Sequence, residues 1–281
     1  MTSDILANKK FCFVGAGAMA GAIVGGILRN KLIAPENISM IAPSDATRNK
    51  VKALYKGVVV SAAASNVLPA ADVVFLAVKP QVAPEVMESI KQYLKPTGVL
   101  VVSVMAGFTV AGLETALDGK QQHRMIRTMP NTNLLAGHGC VGYSTASNVT
   151  AQDEAVVNKI FGSLGFCAKV TEMQLLGVTG LAGSGPAYVA TFIEALSDAG
   201  VKNGLPRALS NKYAFHTVFG TAKLLLESDL STLQVKEMVC SPGGTTIAGI
   251  EALEKNGLRY ATMSAVNASA EKSLLMAKSK V

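Results

Sequence analysis

Two patterns of hydrophobic and polar residues divide the chain near residue 170. In residues 1–170, short apolar runs rich in Val and Ile alternate with amphipathic stretches. Runs that are apolar almost throughout are typical of strands buried on both faces of a parallel sheet. The alternation predicts a doubly wound α/β domain. The predicted strands are 10–15, 38–42, 57–60, 72–78, 98–104, 124–129 and 140–144.

Residues 171–281 show no further strand pattern and predict an all-helical domain. Ser184-Gly185-Pro186 is a typical helix start, because proline is favoured in the first turn. The helical stretches are apolar on wide faces and rich in small residues. Such faces indicate burial against a second copy of the chain. The predicted helices are 186–202, 207–228, 244–255 and 258–279.

The first apolar run, residues 11–28, carries no charge and imitates a signal peptide or a membrane anchor. Five of its eighteen residues are glycine, which is unusual for either. We interpret the run as a buried strand followed by a buried helix. No membrane partner is predicted.

Composition narrows the classes of partner. The 281 residues carry a net charge of +7 without basic blocks, and aromatic residues are 5% with no Trp. A nucleic-acid partner is therefore not expected, and a small anionic ligand fits better. Without CxxC pairs or clustered histidines we predict no metal site, and isolated cysteines suit a reducing compartment, the cytoplasm. The cysteines are Cys12, Cys140, Cys167 and Cys240.

A glycine-rich loop directly follows the first predicted strand. Gly15-Ala16-Gly17-Ala18-Met19-Ala20 has the form GxGxxA, a variant of the dinucleotide-binding fingerprint. Gly15 permits the tight turn, and Gly17 lets the backbone approach a pyrophosphate. The helix start that follows attracts phosphate by its partial positive charge.

The end of the second predicted strand selects the cofactor. Enzymes that use NAD place an acid there for the ribose hydroxyls. Here Glu36 lies before the strand, and Asp45 is followed by several basic residues. The Ser44 hydroxyl and the Arg48 guanidinium can hold a 2′-phosphate. NADPH is therefore predicted, with NADH as the alternative.

Three further loops follow strands whose carboxyl ends should share one edge. Lys79-Pro80 follows the strand that ends at Val78, and segments 103–107 and 127–133 occupy equivalent places. Open α/β sheets bind ligands at this edge. Lys79 can contact cofactor phosphate or ribose, or be an ordinary surface lysine. Asn131 can offer amide hydrogen bonds to the nicotinamide.

The segment SPGGTTIAG, residues 241–249, lies between two predicted helices. Its Pro-Gly-Gly turn exposes backbone N–H groups at a new helix start, and Ser241, Thr245 and Thr246 add hydroxyls. This arrangement predicts a nest for a carboxylate. The alternative is an ordinary turn capped by Ser or Thr.

Two long segments, VTGLAGSGPAYVATFIEALSDAGVKNGLPR and VCSPGGTTIAGIEALEKNGLR, resemble the pyrroline-5-carboxylate reductase family. The glycine loop, AVKPQ, SVMAG and MPNT occur in that family's order. The resemblance implies reduction of 1-pyrroline-5-carboxylate to L-proline, the last step of proline biosynthesis, with a nicotinamide cofactor, usually NADPH. It also implies a Rossmann domain, a helical dimerisation domain, active sites shared across intertwined homodimers, and rings of dimers.

The same resemblance assigns residues. Glu172 falls where members have an acid near the substrate, whereas Asn66 is displaced from the usual ribose-binding asparagine. The Thr246 hydroxyl, near the ring nitrogen, is the predicted catalytic group. Implied cofactor contacts are Ala16, Ala18, Met19, Val78, Lys79 and Ala106, and implied substrate contacts are Ser241, Gly244, Thr245 and Thr246.

Two other functions remain open on the sequence. The β-hydroxyacid dehydrogenases share this architecture but use a lysine of the helical domain as proton carrier. Lys202, Lys212 and Lys223 are available, yet none lies in such a motif. A non-catalytic NADP-binding module is the second alternative.

Overall fold

The computed structural model describes residues 5–96, 98–117 and 123–278. Within them, eight strands form a single sheet in the order β3-β2-β1-β4-β5-β6-β7-β8. The strands are β1 (Phe11–Val14), β2 (Ile38–Ile41), β3 (Val59–Ser61), β4 (Val73–Leu76), β5 (Leu100–Ser103), β6 (Arg124–Met129), β7 (Gly139–Thr145) and β8 (Gly165–Lys169).

The first six strands are parallel and follow the order 3-2-1-4-5-6. This order defines the Rossmann type of doubly wound fold, in which ligands bind where the strand order reverses. Val14 of β1 lies level with Ile41 and with Leu76, which in turn is level with Ser103. The carboxyl ends of these strands therefore form one common edge, and the predicted fold class is confirmed.

Helices cover both faces of the sheet, and each face has its own buried cluster. The rings of Phe13 and Phe75 stack at 4.5 Å between centroids on the face that packs against α1. The uncharged run 11–28 is β1 followed by most of α1, both largely buried, as predicted. The helices up to residue 178 are α1 (Ala18–Arg29), α2 (Asp45–Leu54), α3 (Ala83–Ile90), α4 (Val110–Ala116), α5 (Ala151–Gly162) and α6 (Gln174–Val178).

The far end of the sheet includes an antiparallel strand pair, which the sequence pattern did not predict. Strand β7 runs antiparallel to β6, because the short connection through a 3-10 turn cannot cross over the sheet. Strand β8 was not predicted from the pattern. It is an edge strand, and its Phe166 is 66% exposed, so it lacks the continuous apolar run of a central strand.

Backbone contacts divide the chain into residues 1–183 with 268–281, and residues 184–267. The predicted division at residue 170 stays a prediction. A π-helical turn, Thr179–Gly183, precedes α7, whose first turn contains Pro186 as predicted. Residue 279 of the last predicted helix lies outside the described residues. The remaining helices are α7 (Gly185–Lys202), α8 (Arg207–Glu227), α9 (Thr232–Val239), α10 (Thr245–Lys255) and α11 (Leu258–Lys278).

One helical stretch in the described residues, Gln174–Lys202, is long and apolar enough to cross a membrane when judged by length and composition. The most apolar part of this stretch has a mean hydropathy of 1.2. The whole stretch consists of α6, the π-helical turn and α7.

Candidate functional site

The glycine loop between β1 and α1 has the geometry that phosphate binding requires. Gly15 has a φ of +102°, and a Cβ there would lie 2.6 Å from the carbonyl oxygen of Ala77, so only glycine fits. Gly17 is exposed, and a Cβ on it would meet no protein atom within 4 Å. Helix α1 starts without a side-chain cap or an acid in its first turn. Its first N–H groups are therefore available to an anion.

The other predicted cofactor residues lie along the same sheet edge. Val78 lies beside Gly15, and Lys79 is exposed just after β4. Ala106 follows β5 and is half-exposed between two buried residues. Pro80 is half-exposed beside Lys79. The parallel register thus brings together residues that the sequence separates by about ninety positions. Ala16, Ala18 and Met19 belong to the glycine loop itself.

The residues predicted to select NADPH lie after β2. Ser44 caps α2, because its hydroxyl oxygen accepts the Thr47 N–H at 3.2 Å. The Arg48 guanidinium donates to the carbonyl oxygen of Ala42 at 2.8 Å and to that of Pro43, and it pairs with Asp45. The Arg48 guanidinium lies near the carboxyl end of β2, as predicted, but its hydrogen bonds go to groups of its own loop.

A cavity of about 330 Å³ opens between the start of α1 and one side of α2. Gly17 and Ala18 line one side, and Thr47 and Lys50 line the other. Lys50 is a basic residue to which the sequence analysis assigned no role. The sequence shows Lys50 only as one of several basic residues after Asp45. The structure shows that Lys50 lines this cavity, which the sequence could not.

Two asparagines that the sequence analysis considered for cofactor binding form hydrogen bonds within the protein. The Asn131 amide donates to the Ala182 carbonyl at 3.1 Å and accepts the Cys140 N–H at 3.1 Å. It is 5% exposed and joins two segments. Its predicted contact with the nicotinamide stays a prediction that would have to use the remaining donor or acceptor of the amide. Asn66, after β3, donates to the Ser61 hydroxyl at 3.3 Å.

The SPGGTT segment forms a tight turn that opens α10. Gly243 has a φ of +68°, which favours glycine, and Gly244 caps the helix in an extended conformation. No side chain caps α10, and its first turn has no acid. The N–H groups of Thr245 and Thr246 therefore lie at the positive end of the helix without an intrahelical acceptor.

The Gly244 N–H is used inside the turn. It donates to the Ser241 carbonyl at 3.0 Å, and the predicted contact of Gly244 with the substrate stays a prediction. Gly244 contributes through its missing side chain, because a Cβ there would lie 2.3 Å from the Ser241 hydroxyl oxygen. The nest keeps the Thr245 and Thr246 donors, with the exposed Ser241 hydroxyl beside it.

Glu172 lies in the first unit and accepts hydrogen bonds from three groups there. Its carboxylate accepts the Ser144 hydroxyl at 2.7 Å and the Val110 N–H at 3.3 Å, and it pairs with Arg127 at 3.3 Å. The predicted contact with the substrate is therefore not supported by its surroundings and stays a prediction.

The described residues show no cluster of metal ligands, and two of the four thiols are unreactive. No group of three or more His, Cys, Asp or Glu could hold a metal ion there. Burial raises the pKa of the Cys12 thiol to about 11 and that of Cys167 to about 12. Both thiols are therefore protonated at neutral pH and poor nucleophiles.

Known proteins match both parts of the chain. Residues 10–107 match a family model described as NADP oxidoreductase coenzyme F420-dependent. Residues 172–276 match the model for pyrroline-5-carboxylate reductase dimerisation.

Full-length relatives share one name. The pyrroline-5-carboxylate reductase of Escherichia coli is 39% identical over 274 residues, covering 97% of this chain and 100% of the relative. That of Arabidopsis thaliana is 38% identical and covers 96% of each chain. A crystal structure of the Plasmodium falciparum pyrroline carboxylate reductase with NADP bound aligns with a TM-score of 0.87 at 35% identity, covering 97% of this chain and 99% of that one.

A glycine loop at the switch point of a Rossmann sheet, followed by an uncapped helix, is typical of a domain that binds a nicotinamide dinucleotide. The matched family models add the class of protein, which is an oxidoreductase. Relatives at this level of identity cover the chain almost from end to end. The chain belongs to the pyrroline-5-carboxylate reductase family, as the sequence predicted.

Proposed function

We propose that this chain reduces 1-pyrroline-5-carboxylate to L-proline with NADPH as the hydride donor, the last step of proline biosynthesis. The observation that carries the proposal is the uncapped start of α10 after the Ser241–Gly244 turn. Its geometry suits a small carboxylate, and it lies within the segment matched by the family's dimerisation model. Family membership over the whole chain supports the reaction.

The cofactor would bind along the carboxyl edge of β1, β4 and β5. The exposed backbone of Gly17 and the uncapped α1 fit a pyrophosphate, and Val78, Lys79 and Ala106 would contact the dinucleotide. Ser44 and Arg48 would bind the 2′-phosphate, and the Lys50 side chain adds positive charge nearby. This basic set favours NADPH over NADH, because a phosphate needs a cationic partner.

When bound, the cofactor supplies a hydride to the imine carbon. The Thr245 and Thr246 N–H groups would hold the substrate carboxylate and so fix the ring's orientation. The substrate can arrive as a protonated iminium, which already carries the proton that the product nitrogen retains. The Thr246 hydroxyl would then contact that nitrogen, directly or through water, and orient it.

Oligomerisation is the second part of the proposal. The helices of residues 184–267 expose many large apolar side chains, among them Tyr213, Phe215 and Phe219 of α8. Patches of this kind in a folded unit are typical of subunit interfaces. A homodimer, and beyond it a ring of dimers, would cover them. A reducing compartment such as the cytoplasm would suit the free cysteines.

The test is oxidation of NADPH on addition of pyrroline-5-carboxylate, with proline measured as the product. Stoichiometric proline formation is expected. Oxidation of 3-hydroxy acids by NADP without reduction of the imine would favour a β-hydroxyacid dehydrogenase. Tight NADPH binding without turnover of either substrate would favour a non-catalytic module.

A further inference from the structure

The Glu172 carboxylate joins three elements of the dinucleotide-binding unit. Arg127 of β6 lies opposite Ser144 of the antiparallel strand β7, and both side chains reach the same carboxylate oxygen. The other oxygen accepts the N–H of Val110, the first residue of α4. The Arg127 side chain is 3% exposed and that of Glu172 is 38% exposed. Glu172 therefore neutralises a buried cation from a partly exposed position.

Val110 directly follows the loop 104–109, which connects β5 to α4. The beginning of this loop is held by Ser103, whose hydroxyl oxygen accepts the Met105 N–H at 3.2 Å. The Ser103 carbonyl also accepts the Thr128 hydroxyl at 2.9 Å. The loop start is thus attached to the sheet by bonds that do not involve Glu172.

The end of the loop depends on the acid. Thr109 caps α4 by accepting the Gly112 N–H at 3.0 Å, and Glu172 accepts the neighbouring Val110 N–H. A carboxylate at this place also interacts favourably with the positive end of the helix. Between the two anchored ends, Ala106 is half-exposed at the sheet edge.

We propose that Glu172 is a positioning residue that holds the loop 104–109, and with it Ala106, in the conformation that binds NADPH. The inference rests on the proposed function, in which Ala106 contacts the cofactor. It differs from the substrate contact implied by the family resemblance. A carboxylate has about four acceptor positions, and three donors of its own unit already use Glu172.

The negative charge of Glu172 and its hydrogen-bond acceptors make separate contributions to the position of the loop. Removing the carboxylate leaves the buried Arg127 without this counter-charge and the Val110 N–H without its acceptor, so the start of α4 should shift. A glutamine keeps an acceptor for Ser144 or Val110 but cannot neutralise Arg127. The two substitutions should therefore differ in degree.

The experiment measures NADPH affinity by fluorescence titration without any imine present. We expect Glu172→Ala to raise the NADPH dissociation constant by about tenfold, with Glu172→Gln in between. In turnover, the KM for NADPH should rise while the KM for pyrroline-5-carboxylate changes less than about twofold. Asp153→Asn is the matched control, because it weakens the Arg124–Asp153 pair, 2.7 Å long, at the opposite end of β6. It should lower the Tm and leave NADPH affinity unchanged.

Two outcomes would overturn the inference. If Glu172→Ala leaves the NADPH dissociation constant unchanged and raises the KM for the imine, Glu172 acts in substrate binding and not in cofactor binding. Equal losses of NADPH affinity in Glu172→Ala and Asp153→Asn would show general destabilisation instead of loop positioning. If the wild type binds NADPH but reduces no imine, the proposed function fails alone, and the binding comparison still decides the role of Glu172.

Discussion

The Arg48 side chain is held by groups of its own loop. Its guanidinium pairs with Asp45, whose side chain is 89% exposed, and donates to two loop carbonyls. A 2′-phosphate would have to compete with the Asp45 carboxylate for the same cation. Both residues should therefore influence cofactor choice, in opposite directions.

We expect Arg48→Ala to raise the KM for NADPH and to leave that for NADH nearly unchanged. Losing a hydrogen-bonded charge contact costs about 1.5–3 kcal/mol, which is roughly ten- to a hundredfold in affinity. Asp45→Asn should instead lower the KM for NADPH, because the competing carboxylate is gone. Steady-state kinetics with both cofactors provide the measurement. Higher catalytic efficiency of the wild type with NADH would contradict the assignment.

Substitution of Thr246 tests the proposed mechanism. It is half-exposed in the first turn of α10, so its hydroxyl can reach a ligand held by the backbone N–H groups. Thr246→Ala should lower turnover by about tenfold, the factor that 1.4 kcal/mol produces, with NADPH binding intact. Thr246→Ser should recover most of the loss, because it restores the hydroxyl. Full turnover and full imine affinity in Thr246→Ala would remove this hydroxyl from the mechanism.

The β1–α1 turn contains one glycine that the fold needs, Gly15, and one that we expect only the cofactor to need, Gly17. Gly15 lies against the backbone of β4's end at a positive φ, whereas Gly17 faces open space with an ordinary φ of −78°. The methyl group of an alanine at position 15 would therefore clash with the protein itself. At position 17 it would clash only with a pyrophosphate bound to the loop.

Gly17→Ala should leave the Tm nearly unchanged and weaken NADPH binding by about tenfold or more. Gly15→Ala should weaken binding and also lower the Tm, by about 2–4 °C for each kcal/mol lost. Thermal melts and NADPH titrations of both variants check this pair. A large fall in the Tm for Gly17→Ala would contradict the open space seen beside it.

Assembly follows from the surface of the helical unit. Light scattering at micromolar protein should show no monomer of 29.1 kDa. Phe219→Asp, which places a charge on the apolar α8 surface, should lower the mass and the activity together. Phe166→Asp is the control, because this residue is similarly exposed but lies on strand β8. A monodisperse, active wild-type monomer would refute the dimer.

Local patterns were sufficient for much of this protein. The alternation of strands and helices, the glycine loop and a helix start near residue 244 depend on backbone conformation that nearby residues set, so they could be predicted from the sequence. The edge strand β8 was missed, because a strand with an exposed Phe166 lacks a strong periodic signal.

Long-range pairing was beyond those patterns. Glu172 accepts from Val110, 62 residues earlier, and this bond exists because β7 turns antiparallel and places Ser144 opposite Arg127. The Gly244 N–H bond to Ser241 is local, but the sequence pattern did not show which N–H groups the turn itself uses. Motifs in the sequence predicted the family and the two candidate binding segments, because glycines and helix starts act through the local backbone. Tertiary packing determined which polar groups remain available to a ligand, because each donor or acceptor used inside the fold has less capacity left for the substrate or the cofactor.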